Sequence, residues 1–354
     1  MPVADLATYA AELADLGRAH GLDAIGVAPA EPFTRALAAL QHRRAAGLDG
    51  GMAFTYKNPE RSTDPGAAVR DARALVVGAR SYVAASPPRP GGAPHGRVAR
   101  YAWRDHYAPL REALWVVARR LRADGYRAVP FADDNSVVDR EAAWLAGVGW
   151  YGKNANLLLP GAGSWFVLGS VVTDAPLPSA AAPVDDGCGT CRRCIDACPT
   201  GAIVAPGVID ANRCLAWVLQ KPGAIPVELR AVAGDRIYGC DDCQGVCPPA
   251  LRIERRAGPA ATDDVAWVDL VGLVLASDDE LLARHSRWYL AGRDPRWLRR
   301  NALVALGNSG AGHVHAVRDA LATALGGDDE LLREHASWAI ARLGLDAAQT
   351  AASA

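Results

Sequence analysis

Apolar positions in the first half of the chain follow two periods. TYAAELADLGRAHGL (8–22) and REALWVVARRLRADG (111–125) place apolar residues every three to four positions, the spacing of amphipathic helices. DAIGVAPA, RALVVGARSYV and SWFVLGSVVTD are short apolar runs closed by turn residues, which predicts strands. SPPRPGGAPHG (86–96) predicts a loop. Such alternation predicts an α/β-layered domain over 1–176. Beyond 257 the pattern turns helical. WLRRNALVALGNSG and LLREHASWAIARLG align 34 residues apart, matching Asn301 with His335, Ala302 with Ala336 and Gly310 with Gly344. That period predicts HEAT-like helical repeats over 257–354, with an ordinary helical bundle as the alternative. The whole is expected to be an α+β multi-domain protein.

The chain has 354 residues, half of them apolar, and a net charge of −1. This is length for two or three domains with ample core. A near-zero net charge excludes a global affinity for polyanions, so any nucleic-acid contact must come from a local patch. No run of ~20 apolar residues occurs, and MPVADLATYAAELADL has no basic segment leading into an apolar one. A soluble, cytoplasmic monomer without a membrane partner is expected.

All eight cysteines lie between Cys188 and Cys247. Thiols packed this densely in a large chain argue for metal rather than disulfides. Cys188, Cys191, Cys194 and Cys198 have the spacing C-x2-C-x2-C-x3-C-P, in which three thiolates cap one [4Fe–4S] cube and the fourth ligates a second cluster. Zinc is the alternative for paired C-x2-C motifs. A second run holds Cys240, Cys243 and Cys247, but Ile237 occupies the position of its first cysteine. Cys214 is then the cysteine left to complete it. Cross-wiring gives Cys188, Cys191, Cys194 and Cys247 for one cluster, and Cys198, Cys214, Cys240 and Cys243 for the other. A two-cluster ferredoxin-like module over 177–256 follows. A free electron carrier would not need the long flanking segments, so an enzyme with an internal wire is expected.

The densest polar constellation is FADDNSVVDREAAWLAGVGWYGKNANLLL (131–159). Asp133 and Asp134 follow an apolar strand end and read either as functional acids or as loop caps. Asp139 and Arg140 open a helix and read either as site residues or as a surface pair. GVGWYGKN resembles a phosphate-binding loop but has Asn154 where Ser or Thr is needed, and follows a helix, so nucleotide triphosphate binding is rejected.

VVDR, GVGWYGKN, GSWFVLG, CGTCRRCIDACPTGA, NRCLAW and RIYGCDDCQGVCP, in that order, resemble the epoxyqueuosine reductase family over residues 5–345. The resemblance implies a cobalamin-binding N-terminal domain, the two-cluster module and a HEAT-like C-terminal domain. It implies reduction of epoxyqueuosine to queuosine at the tRNA wobble position, the last step of queuosine biosynthesis. Electrons would come from an external low-potential donor, through two [4Fe–4S] clusters, to cob(II)alamin. ADDNSVVDR matches the family's proton-donor pattern and puts the donor at Asp133, with Ala132 in place of the usual Val. Corrinoid-contacting positions map to Arg61, Ala99, Arg100, Asp133, Leu157 and Leu168. Ser170 stands where the family often has Glu. No D-x-H-x-x-G motif is present, so the implied corrinoid would bind without a histidine lower ligand.

ARHSRWYLAGRDPRWLRR (283–300) interleaves arginines with His285, Trp288, Tyr289 and Trp297. Arginine beside aromatics suits phosphate contact and base stacking. Arg296, Arg299 and Arg300 are accordingly expected to bind the anticodon stem-loop of tRNA; a solvated helix face over core tryptophans is the alternative. Two competing functions carry different expectations. A corrinoid, iron–sulfur dehalogenase of small molecules would need no helical repeats, and a non-catalytic electron carrier or RNA-binding scaffold would leave Asp133 idle.

Overall fold

A computed structural model describes residues 5–179 and 182–345. The three apolar runs form antiparallel strands Ala24–Pro29, Ala74–Ser81 and Phe166–Thr173. A fourth strand, Ala128–Ala132, pairs with the last of them at the sheet edge. Pro130 sits in it, which an edge strand tolerates because no further partner needs its missing N–H. Helices Leu6–Ala19 and Tyr107–Ala123 pack on one face around Leu13, Leu114 and Val171. Helix Asp139–Leu145 covers the other through Ala142 and Ala143, against Leu75, Val77 and Val172. Gly26 permits that approach, since a Cβ there would lie 2.2 Å from the Ala146 carbonyl oxygen.

The expected divisions 1–176, 177–256 and 257–354 do not separate three independent cores. A second sheet takes one strand from each: His95–Val98, Arg236–Tyr238 and Trp267–Asp269. His95–Val98 emerges from the end of the predicted 86–96 loop. Val98 and Trp103 share a buried cluster with Ile237, Leu270, Leu303 and Ile340. The C-terminal helices include Arg296–Asn308, His315–Gly326 and Glu330–Arg342. The matched positions Asn301 and His335 are both fully buried, and both face the cysteine-rich module. Asn301 donates to the Leu219 and Ile237 carbonyls at 2.8 and 2.9 Å, and His335 Nε2 accepts the Ile225 N–H at 3.2 Å. Among the described residues no helix is long and apolar enough to cross a membrane.

Candidate active site and cluster ligands

The cysteines come together in two groups of four. Cys188, Cys191, Cys194 and Cys247 line one cavity of about 220 Å³, with Trp150, Asn154, Lys153, Arg193 and Arg252 around it. Asp186 fixes the entry by accepting the Cys188 N–H at 2.9 Å. Gly187 lies against the Trp150 ring, where a Cβ would come within 2.6 Å. In the second group, Cys198 Sγ accepts the Ala202 N–H at 3.2 Å, and Cys214 opens the short helix Leu215–Val218.

The thiols report their neighbours electrostatically. Burial, then the charges of Cys188, Cys194 and Cys191, push Cys247 up to about 11. Burial pushes Cys240 up to about 12, with Cys214 adding to it. Burial, then Cys240 and Cys214, hold Cys243 well above the usual thiol range, and Cys198 acts in the same sense on Cys214. The two groups meet where Cys194 adds to the Cys243 shift. Buried thiols of this kind ionise only against a compensating positive charge, as iron supplies. A tetrahedral zinc site would bring sulfurs within ~3.8 Å of one another. Among the described residues no three His, Cys, Asp or Glu side chains converge tightly enough for a single metal ion. A cavity of about 220 Å³ ringed by four cysteines suits a cluster. Ile237, which occupies the missing cysteine's position, is fully buried in the core.

GVGWYGKN closes the N-terminal layer onto this module. Trp150–Tyr151 and Leu157–Leu158 form a hairpin. At its tip Lys153 donates to the Gly189 carbonyl at 2.6 Å, and Asn154 reaches the Cys243 carbonyl at 3.5 Å. The lysine thus binds a cysteine-bearing loop.

Asp133 ends strand Ala128–Ala132 in a left-handed conformation, φ 56°, uncommon for a residue with a side chain. It is solvent-exposed at its tip, with protein packed around it. That surrounding protein raises its pKa, with Asp105 and Asp134 adding and Arg111 opposing. Asp134 is a loop cap, accepting the Ser136 N–H at 2.7 Å. The two carboxylates therefore differ: Asp134 caps its loop, and Asp133 has the raised pKa. The loop is stitched to the Arg61 turn by Ser62 Oγ to the Asn135 carbonyl at 2.6 Å and Val138 N–H to the Ser62 carbonyl at 3.0 Å.

Asp139 is not half of a surface pair. It is largely enclosed, and burial followed by the Asp133 charge holds its carboxyl well above the usual range, although it accepts the Asp133 N–H. Burial, then the charges of Asp133 and Asp139, also raises Tyr107, and burial with a contribution from Asp133 raises Tyr238. Both remain neutral phenols beside the acid. Arg140 reaches toward Cys214, whose pKa it lowers slightly against burial. The acid loop and the deeper cysteine group are thus neighbours. Asp139, Tyr107 and Tyr238 escape sequence reading; the signal for Asp139 is its place directly after two valines in VVDR.

The structure distributes the expected ligand positions between the core and the surface, and buries part of the expected tRNA-binding set. Arg100 is buried and stacked on Trp165; its Nη2 bonds Glu254 at 2.6 Å and Ser86 at 2.9 Å, while Nε and Nη1 have no partner among the described residues. The Leu157 side chain is buried in the core. Ala99 is also buried, its N–H on the Tyr238 carbonyl, and Leu168 is partly buried on the sheet. Arg61 is exposed beside the acid loop. The expected tRNA comb fails most clearly at Arg300, which is fully buried. Its guanidinium donates to the carbonyls of Val218, Leu219, Lys221 and Gly223. Arg299 pairs with Asp278 and donates to the Ala276 carbonyl, while Arg296 pairs with Asp294 and Asp329. Trp288 and Trp297 are core residues, and only part of the stretch, including Arg287 and Tyr289, faces solvent.

Residues 187–250 match the family model of a 4Fe-4S double cluster binding domain. With an acid beside the deeper cysteine group, this defines an iron–sulfur redox protein. The chain is 35% identical to epoxyqueuosine reductase of Burkholderia pseudomallei, over 86% of this chain and 83% of that protein. It is 36% identical to that of Pseudomonas aeruginosa, over 86% and 87%. The chain belongs to the epoxyqueuosine reductase family. A solved epoxyqueuosine reductase with an epoxyqueuosine-modified tRNA-Tyr stem loop superposes with a TM-score of 0.86 at 28% identity, covering 96% of this chain and 91% of that one. The Bacillus subtilis enzyme, with its catalytic aspartate loop swung out of the active site, superposes with a TM-score of 0.85 over the same shares, at 28% identity.

Proposed function

We propose that this protein reduces the epoxide of epoxyqueuosine in the tRNA anticodon stem-loop to the alkene of queuosine. The balanced change is one epoxide, two electrons and two protons to one alkene and one water. The observation that carries the reading is Asp133: an acid of raised pKa in a left-handed turn, in a chain of this family. Cys188, Cys191, Cys194 and Cys247 are assigned to one cluster, and Cys198, Cys214, Cys240 and Cys243 to the other.

A corrinoid is the finer part of the proposal. Ser170 Oγ is buried without a partner on the strand that carries Leu168, directly across from Phe131, two residues before Asp133. This orphaned hydroxyl, the unpartnered Arg100 Nε and Nη1, Leu168, the exposed Arg61 and the acid loop fit a large ligand held by packing and a few polar contacts, to which Ala99 and Leu157 can add backbone. When bound, the clusters supply electrons singly and the corrinoid supplies a strongly reduced cobalt beside the substrate. Asp133 holds a proton for the epoxide oxygen because its surroundings disfavour the carboxylate. Asp139 accepts the Asp133 N–H, and burial with the Asp133 charge keeps its own carboxyl toward the neutral form. Tyr107 and Tyr238 enclose the acid as neutral groups.

The test is anaerobic turnover of an epoxyqueuosine-containing anticodon stem-loop with a chemical reductant. Loss of one oxygen from the modified base is the expected mass change. An unaltered base, with both clusters present and reduced, refutes the assignment.

A further inference from the structure

We infer that the rim of the Cys188–Cys247 cavity is the docking surface for an acidic one-electron carrier protein. The inference rests on the assignment of these cysteines to a cluster. The two quartets are not equivalent. The deeper one packs against the apolar cluster of Leu215, Val218 and Leu219 through Cys240, and it neighbours the acid loop through Arg140. The other lines a cavity whose remaining wall includes the exposed Arg193 and Arg252. With clusters bound, the outer quartet would be the side at which electrons enter and the inner one the side from which they pass on.

The rim has a definite charge. Among the described residues Arg193 and Arg252 make no ion pair or hydrogen bond. Arg255 and Arg256, at the i+3 and i+4 positions from Arg252, are exposed and likewise unengaged. Acids nearby are largely committed: Asp196 faces Arg192 at 3.6 Å, Glu254 holds Arg100, and Asp186 caps Cys188. Guanidiniums left unpaired around a redox centre attract a negatively charged partner and steer its approach. In each encounter the reduced carrier loses one electron and the oxidised outer cluster gains it; two encounters supply one epoxide reduction.

The test uses the cluster-loaded full chain and a photoreduced flavodoxin of acidic surface as probe. Binding affinity and the rate of visible cluster bleaching are measured against ionic strength. Both should fall as salt rises, since steering of this kind is worth about 10–10³-fold in on-rate and is screened. Arg193→Glu/Arg252→Glu should slow bleaching at least tenfold and flatten the salt slope, while bleaching by the methyl viologen radical cation becomes faster. Wild-type flavodoxin affinity and rate in the double variant overturn the proposal. If the Glu variant loads less iron, Arg193→Gln/Arg252→Gln replaces it, and an unaltered salt slope there overturns the proposal equally. Bleaching requires no tRNA, so a failed epoxide reduction with intact flavodoxin dependence would refute the proposed reaction and leave the docking surface standing.

Discussion

Replacing Arg300 with methionine isolates what a buried arginine does here, because the apolar stem is kept and the fork removed. The guanidinium donates to Lys221 O at 2.9 Å, to Val218 O and Leu219 O at 3.2 Å each, and to Gly223 O. Burial and the nearby Arg230 lower its pKa to about 9, which still leaves it charged at neutral pH. Asn301 continues to satisfy Leu219 O in the variant. Three carbonyls lose a charged donor, at ~1–3 kcal/mol for each buried group left unsatisfied. Relief from burying the cation offsets part of this, leaving a net loss of ~3–5 kcal/mol, the range for breaking buried charge contacts. At ~2–4 °C per kcal/mol, the melting temperature should fall by ~6–20 °C. The Val218–Gly223 segment follows Cys214 directly, so iron should also be lost preferentially from the inner quartet. Thermal unfolding by circular dichroism and iron analysis on the anaerobic protein read both effects. Arg296→Ala, an exposed ion-paired control, should cost ~0–1 kcal/mol. Wild-type melting and iron content in Arg300→Met would refute the carbonyl cage as the anchor of this segment.

Cys214→Ser should remove the same EPR signal as Cys198→Ser, and Cys247→Ser the same signal as Cys188→Ser; both clusters intact in Cys214→Ser would break the pairing. Asp133→Asn should keep both clusters and lose ~10²–10⁴-fold in turnover, while Asp134→Asn stays active; the reverse order would reassign the acid. Turnover should fall as pH rises through the raised pKa of Asp133, and this inflection should vanish in Asp133→Asn; its persistence would place the proton elsewhere. Asp139→Asn should melt higher than the wild type at neutral pH. A carboxyl whose folded pKa lies above its unfolded value lends stability that is complete below the unfolded pKa and is lost as pH rises through the folded one, so the variant's advantage should disappear in acid.

What could be read from the sequence was local. The cysteine spacing placed Cys188, Cys191, Cys194 and Cys247 together, and these four line one cavity, because three of them lie within one or two turns. Apolar runs marked three strands of the main sheet and the strand end before Asp133, but not the extent of AVPFA, since proline inside a short run argues against a strand unless its edge position is known. The sheet joining His95–Val98, Arg236–Tyr238 and Trp267–Asp269 has no local signature, since each strand is short and its partners are distant in sequence. Arg300 and Asp139 failed for one reason. Charged residues are read as exposed by default, and only tertiary structure shows four carbonyls waiting for the first or an enclosing wall around the second.

The fate of the arginine stretch changes the role of the C-terminal helices. Asn301 and His335 occupy equivalent places in the 34-residue alignment, and each bonds a backbone group in 219–237. Arg300 and Arg230 extend the same seam, the latter donating to Glu334 at 2.8 Å. Polar side chains buried at an interface fix its register, because a shifted packing would strand each of them without a partner. Equivalent positions of the two helices thus hold the segment between Cys214 and Cys240 from one side, while Lys153 and Asn154 hold the module from the other. The helical layer braces the inner quartet against the acid loop. A rigid brace suits a wire, since a centre that shifts by an ångström relative to its acid loses the geometry on which proton and electron delivery depend.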